Sequence, residues 1–537
     1  MATASDFGAE LARLADAVDS RLLLRGLKGV EKESLRSDPN GLLAQTPHPA
    51  ELGSALTNRY ITTDFSEALL EFVTPAWADY WQTHQFLCDL HIYTYRNIGE
   101  ELLWVTSMPC RVGPDDAIPL ACYGTSNVGR MKTTYRRGLG FRYGRLMQTI
   151  AGLHFNYSLA TDLWPQLMAL DGAGPDADAY RSARYLGLVR NFRRYGWLVL
   201  YLFGASPAVC RSFIDDPLPS MPELDGETLF EPYATSLRMS DLGYSNKAQS
   251  SLVVSLNTLD EYIDGLCGAI TTPAPAYEKI GVRVDGNWRQ LNANVLQIEN
   301  EYYSAMRPKK VARSGERPTS ALRRGGIDYV ELRSVDLNLF DPVGISQRQA
   351  AFLELFLLYC LLKPSPPLDV DELKRTDRNH ALTVRLGRDP GLVLEVDGRR
   401  ALLAEHGERL FDELAALAEF AGAGAAGDDD PAAVVAGYRR FLNDADLTPS
   451  ARIVSELSAS GQSFFEFGLA QARRHRDYFL SLEPVNEARM REFAGEAVRS
   501  IEAQRSIEAT DALSFSEYLA EYFAGPCGEA AAQSSSR

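Results

Sequence analysis

The stretch Arg324–Asp336, RGGIDYVELRSVD, constrains the fold of this chain more than any other. Two glycines permit a tight turn, and an alternating run follows. Strand side chains alternate between faces with period two. Ile327, Tyr329, Glu331, Arg333 and Val335 therefore fall on one face, with Asp328, Val330, Leu332 and Ser334 on the other. One face displays a phenol, a carboxylate and a guanidinium within about 14 Å. Such a face is either a solvated surface or a site for a metal and an anion, and other parts of the chain bear on the choice.

Further segments repeat the pattern. Val30–Leu35 reads as a strand ending in the turn Asp38-Pro39-Asn40-Gly41, with Glu31 and Glu33 on one face. If the chain is extended after Asp64, then Glu67, Leu69 and Glu71 share a face. His154 and Asn156 oppose Leu153, Phe155 and Tyr157. Val295–Tyr303 alternates as well, placing Glu299 and Glu301 together. A half-solvated antiparallel sheet gives the same alternation. Glutamate, however, is a poor strand former, and facing carboxylates repel unless divalent cations neutralise them. Oxygen ligands with one imidazole suit Mg²⁺ or Mn²⁺.

The net charge of −16 disfavours nucleic acid and anionic membranes as partners. Against that background, Arg130–Arg145 holds six basic residues and no acid, and Arg307–Arg324 holds seven and one acid. Both read as basic loops: either solvated patches or a pocket for a small polyanion such as a nucleotide triphosphate. From charge alone, Lys132, Arg307, Lys309 and Arg313 are candidates for phosphate neutralisation, with a solvated loop as the alternative. Neither a P-loop nor a dinucleotide-binding glycine motif occurs. Seven cysteines without a CxxC suit a reducing cytoplasm and argue against a thiolate zinc site. No signal peptide and no membrane span are expected.

Residues Ser5–Ala15, Trp81–Gly99, Arg181–Phe203, Leu252–Ala269 and Ser346–Leu362 have helical character, and beyond Pro342 the pattern is mostly helical. The expected organisation is an α+β region over 1–362 containing the site sheet, a helical region over 363–525 packed on it, and a disordered tail over 526–537.

The phrases RGLKGVEKESLR, ALTNRYITTDFSEALLEFVTP, YGTSNVGRMKTTYRRGLGFRYG, QTIAGLHFNYSL, YATSLRMSDLGYSNKAQS, NVLQIENEYYSAMRPKK and RGGIDYVELRSVDLNLFDP resemble the proteobacterial type of glutamate–cysteine ligase. The resemblance runs in order from about Leu22 to Leu362 and more weakly beyond. It implies a glutamine-synthetase-like curved antiparallel sheet forming a funnel, with metals and substrates on the concave side. The implied reaction joins L-cysteine to the γ-carboxylate of L-glutamate at the expense of ATP, through γ-glutamyl phosphate, in the first step of glutathione synthesis. Carried over motif by motif, the metal ligands are Glu31, Glu33, Asp64, Glu71, Glu331 and His154. Arg333 matches the arginine that contacts the transferred phosphoryl group, which with Glu331 makes the catalytic pair. The cysteine pocket comprises Tyr135, Arg238, Tyr244 and Tyr303. The first motif departs from the usual Glu-Arg-Glu by carrying Lys32, which points to the other face. The resemblance also implies Mg²⁺ or Mn²⁺, feedback inhibition by glutathione, and a cytoplasmic enzyme, expected to be a monomer. The chain shows no resemblance to the glycine-adding part of the bifunctional enzymes. Two other readings stay open: a ligase of the same fold using another amine, and a non-catalytic binding protein on this scaffold.

Overall fold

The structure is a computed structural model that describes residues 6–214, 221–243, 252–313, 315–422, 430–483, 486–525 and 527. Its centre is a seven-stranded antiparallel sheet. The strands are β1 (Leu27–Ser37), β2 (Ile61–Thr63), β3 (Leu69–Val73), β4 (Leu102–Leu103), β5 (Leu153–Ser158), β6 (Met306–Lys309) and β7 (Tyr329–Val335). Their order is β6-β7-β5-β1-β3-β2, and β4 pairs with the far end of β1. β5 thus lies between β1 and β7, which is how acids far apart in sequence reach one surface.

The two faces divide as the period-two alternation requires. Val30, Leu70, Phe72, Leu153, Phe155, Tyr157, Val330 and Leu332 are fully buried on one side. The helices α1 (Asp6–Ala15), α2 (Tyr80–Asn97), α3 (Asn127–Tyr143), α4 (Ala177–Tyr195), α5 (Trp197–Phe203), α6 (Leu259–Thr271), α7 (Pro318–Gly325) and α8 (Gln347–Leu362) surround the sheet. Although α8 was expected to be amphipathic, it is buried on nearly all sides, from Phe352 through Leu362. Two lysines enter the apolar side. Lys28 is neutralised by Glu354, with Nζ 2.7 Å from both carboxylate oxygens. Lys32 donates to Ser34 Oγ at 3.0 Å and lies 2.8 Å from His91 Nε2. Burial pushes the Lys32 ammonium down to about 7. Lys32 therefore does point away from Glu31 and Glu33.

Four expectations need correction. Arg130–Arg145 is not a loop: residues 127–143 form α3, capped by Ser126, whose side chain accepts from Gly129 N. Two of its glycines allow close packing. A Cβ at Gly129 would lie 2.2 Å from the Tyr123 carbonyl, and one at Gly138 would lie 2.2 Å from Gln297 Oε1. Second, Val295–Tyr303 is not a strand; it is irregular and contains a 3-10 turn at Glu299–Glu301. Third, Arg307–Arg324 is not one loop, because it starts in β6 and ends in α7. Fourth, Val335 leaves the polar face. The register shifts between Leu332 and Val335, so that Leu332 pairs with Phe155 and Val335 with Leu153. A bulge adds one residue and returns Val335 to the core. In addition, α6 starts at Leu259, seven residues later than expected from Leu252.

The C-terminal region is largely helical, as its pattern suggests, with one hairpin of Val393–Val396 and Arg399–Leu402. Helices α9 (Phe464–Ser481), α10 (Glu487–Thr510) and α11 (Phe515–Phe523) pack back onto the sheet region. Phe479 stacks on His91 at 4.8 Å, and Glu496 accepts from Arg59 Nη2 at 2.9 Å. Of the tail expected at 526–537, only Cys527 is among the described residues; it is buried and bonded to Cys267. A second disulfide joins Cys110 and Cys210. No described helix is long and apolar enough to cross a membrane.

Candidate functional site

The polar face of the sheet forms the floor of a cavity of about 620 Å³. Register explains its layout. Glu31 sits between His154 on β5 and Val73 on β3. Glu33 pairs with Glu71, which pairs with Thr62. On the other side, Glu331 lies between Asn156 and Arg307. Cross-strand neighbours stand about 4.5–5.5 Å apart at Cβ, so each acid meets its partners directly.

Side-chain contacts follow. His154 Nδ1 lies 3.0 Å from Glu31 Oε2, and its Nε2 lies 3.7 Å from Glu33 Oε1. Asn156 Nδ2 donates to Glu31 Oε1 at 2.9 Å. Glu33 Oε2 accepts from Gly152 N at 2.5 Å. Glu331 takes Lys309 Nζ at 3.0 Å on one oxygen and Arg333 Nη1 at 3.1 Å on the other. Glu31, His154 and Glu331 each offer a ligand atom, and these atoms lie within 4.8 Å of one another.

The electrostatics split the floor in two. Burial raises the Glu331 carboxyl, but Lys309, Arg333, His154 and Arg307 outweigh it and hold the group well below the usual carboxylate range. Glu71 moves the other way: burial, then Glu31, Asp64 and Glu33, push it well above that range. Burial also raises Glu33, with Asp64 adding to the shift. Acids at the β1–β3 side thus crowd one another without enough protein cations to neutralise them. His154 Nε2 is buried and makes no hydrogen bond among the described residues. Crowded carboxylate oxygens and an unpartnered imidazole nitrogen fit a hard divalent cation. Glu31, Glu33, Asp64, Glu71, Glu331 and His154 all line the cavity and are the residues present to hold one.

The cavity wall is cationic and aromatic. Lys132, Tyr135 and Arg136 reach it from α3, Arg307 and Lys309 from β6, and Tyr303 from the irregular segment. Burial, then Arg136, lowers the Lys132 ammonium to about 8. Asp64 lines the cavity from the turn after β2. Its carbonyl accepts from Arg136 Nε.

The remaining sequence candidates lie elsewhere. Arg238 is fully buried behind the wall; its Nη2 donates to the Arg333 carbonyl at 2.8 Å, and its Nη1 lies 3.5 Å from Asp336. With a further bond from Nη1 to the Val335 carbonyl at 3.3 Å, it ties down the backbone on both sides of the bulge. Arg313 is exposed on the loop before α7 and is not among the lining residues, though its backbone N donates at 2.8 Å to Glu316, which is. Tyr244 lies outside the described residues. The secondary acids have structural partners. Glu67 accepts backbone N–H groups of His48 and Cys122 at 2.9 and 2.8 Å. Glu299 pairs with Arg317 at 3.1 Å.

Some wall residues were not anticipated. Arg136 was passed over although it lies in the same basic cluster as Lys132. Tyr518 and Tyr522 of α11 also line the cavity, as does Glu301, whose alternation with Glu299 had marked it and which accepts from Arg142 and Tyr143. The spacing of Tyr518 and Tyr522, four apart on one helix face, was the available signal.

A carboxylate floor beneath a cationic wall, built on an antiparallel sheet, fits the class of enzymes that act on a polyanion with a divalent cation. A family model described as glutamate-cysteine ligase matches residues 11–383. A glutamate–cysteine ligase from Alcanivorax borkumensis is 49% identical over 511 residues, covering 94% of this chain and 97% of the relative. A crystal structure of glutamate–cysteine ligase from Francisella tularensis in complex with AMP superposes with a TM-score of 0.87 at 36% identity, covering 93% of this chain and 97% of that one. A bifunctional glutathione synthetase from Pasteurella multocida superposes with a TM-score of 0.69 at 26% identity, covering 88% of this chain and 54% of that one. The chain belongs to the glutamate–cysteine ligase family.

Proposed function

We propose that this protein joins the amine of L-cysteine to the γ-carboxylate of L-glutamate with ATP, giving γ-glutamylcysteine, ADP and phosphate. A carboxylate is a poor electrophile, and phosphorylating it as γ-glutamyl phosphate supplies a leaving group for amine attack. The observation that carries the reading is the meeting of Glu31, His154 and Glu331 ligand atoms within 4.8 Å beside Lys309 and Arg333. Negative charge builds on the transferring phosphoryl oxygens, and cations fixed in place stabilise it.

In this account Glu31, Glu33, Asp64, Glu71, Glu331 and His154 hold Mg²⁺ or Mn²⁺. When bound, the metal neutralises phosphate oxygens and orients them. Arg333 contacts the transferred phosphoryl group, with its aim set by Arg238 through the bulge. Lys309, Arg307 and Lys132 neutralise the polyphosphate. Tyr135 and Tyr303 wall the cysteine, and Tyr244 is assigned to the same pocket from its motif alone. Arg238 was expected at the cysteine carboxylate; its burial favours the bracing role. The exposure of Arg313 speaks against a phosphate contact.

We further assign a cytoplasmic monomer, glutathione as a feedback inhibitor, and residues 363–525 as a helical support for the site. Phosphate release measured with glutamate plus cysteine, with glutamate plus 2-aminobutyrate, and with glutamate alone tests the reaction. Cysteine should give the highest kcat/KM. No stimulation by cysteine over glutamate alone would refute the assignment, and a stronger response to another amine would move it to a sister ligase. Turnover unchanged at millimolar glutathione would remove the feedback claim.

A further inference from the structure

Lys132 and Arg136 lie four residues apart on α3, and both line the cavity. Side chains at that spacing share one helix face, where like charges repel. Burial and then Arg136 both push the Lys132 ammonium down. The bonds that Arg136 makes go to carbonyl oxygens: Nε donates to Asp64, and Nη1 donates to Lys132 at 3.2 Å. One further group faces both cations. The ring of Tyr123 has Lys132 Nζ 5.1 Å from its centroid and the Arg136 guanidinium carbon 4.6 Å from it.

Tyr123 is itself held firmly. It is 1% exposed and is not among the residues that line the cavity. Its hydroxyl donates to the Thr63 carbonyl at 2.6 Å, at the end of β2, and lies 3.0 Å from the Asp64 carbonyl. Burial pushes the phenol up, so the ring stays neutral. The backbone is strapped on both sides: Ala121 N donates to the Phe65 carbonyl at 3.0 Å, and the Ala121 carbonyl accepts from Thr133 Oγ1 of α3 at 3.1 Å. The missing Cβ at Gly129 lets the first turn of α3 close on the Tyr123 carbonyl. The ring shares a small apolar cluster with Ala55 and Ala121, separate from the main core. Filling that cluster needs apolar bulk; it does not require an aromatic face under two cations.

The face of an aromatic ring is electron-rich and attracts a cation within about 6 Å of its centre, most strongly where water is excluded. A carboxylate in the same place would pair with the two cations and cancel their charge. A neutral ring holds them and leaves their charge available to an anion in the cavity. We infer that Tyr123 is a positioning residue for the phosphate-binding cations, its ring holding Lys132 and Arg136 at the cavity wall by cation–π attraction. This assignment rests on the ligase reading above, in which Lys132 meets the polyphosphate, and it brings Arg136 into the same role.

Steady-state kinetics on the full chain test it, with Tyr123 replaced by phenylalanine and then by mono-, di- and trifluorophenylalanine. Fluorine withdraws electron density from the ring face with little change of shape, so each protein should fold, as circular dichroism would show. Tyr123→Phe keeps the ring and should retain most of the kcat/KM for ATP. Along the fluorinated series kcat/KM for ATP should then fall step by step, by about three- to tenfold in all. KM for glutamate and KM for cysteine should not move. A flat series overturns the inference, as does an equal rise in all three KM values. Absence of ATP-dependent turnover in the unaltered protein would instead defeat the ligase reading, so the two failures are distinct.

Discussion

Glu331→Gln tests the floor of the site most sharply. The carboxyl is 1% exposed and lies 3.0 Å from Lys309 Nζ and 3.1 Å from Arg333 Nη1. At an effective dielectric near 20, two unit charges 3 Å apart attract by about 5–6 kcal/mol. Desolvation of the buried groups offsets much of that. Glutamine keeps the shape and can still accept a hydrogen bond from one cation, so the fold should lose only about 1–3 kcal/mol. Activity has no such compensation. A divalent cation at the usual 2.0–2.6 Å ligand distance loses a full anionic partner, and Arg333 loses the carboxylate that aims it. Removing one fixed electrostatic contributor of this kind costs about 2.7–4 kcal/mol in the transition state, or about 10²–10³ in kcat. Phosphate release under saturating substrates gives kcat, and urea denaturation followed by circular dichroism gives stability. A folded variant with kcat within threefold of the parent would refute the assignment of Glu331 to the metal and phosphoryl site.

Three further expectations concern the scaffold. Lys28→Met leaves Glu354 buried without its partner, and the urea midpoint should fall by the equivalent of about 3–5 kcal/mol. The double variant K28M/E354L should recover most of the loss; no recovery would contradict a simple pair. Gly152→Ala places a Cβ 2.0 Å from Arg238 Nη2 and should dislodge that guanidinium from the Arg333 carbonyl. Losing a charge-assisted hydrogen bond of about 1.5–3 kcal/mol predicts a fall in kcat/KM of about 10- to 100-fold, and an unchanged value would remove Arg238 from the positioning role. Cys110→Ser opens a bond that closes a 100-residue separation, and chain entropy sets the loss at up to about 4.7 kcal/mol. A thermal midpoint equal to that of the parent would show that the bond contributes nothing.

Period-two alternation was the most legible feature. It assigned Glu31, Glu33, His154, Asn156, Glu331 and Arg333 to one surface because each lies on a regular strand whose other face is core. The same rule failed at Val295–Tyr303, where alternation is present but the chain turns at Glu299–Glu301 and its acids pair with Arg142 and Arg317. It failed again at Val335, since a bulge changes parity without any mark in residue type. The basic run Arg130–Arg145 read as a loop but lies mostly in α3, where Gly129 and Gly138 permit close approach within a helix. Composition could not reveal the disulfides, because Cys267 and Cys527 are 260 residues apart and only the fold brings them together. The place of Tyr518 and Tyr522 on the cavity wall was hidden for the same reason, as it depends on where α11 docks.

The central claim is that the γ-carboxylate of glutamate is activated by phosphorylation. Glutamate carrying ¹⁸O in both γ-carboxylate oxygens, incubated with ATP, cysteine and Mg²⁺, tests it directly by mass spectrometry of the products. The account predicts γ-glutamylcysteine, ADP, and phosphate bearing one ¹⁸O atom per turnover. Label appearing in AMP, or phosphate free of label while peptide forms, would contradict it.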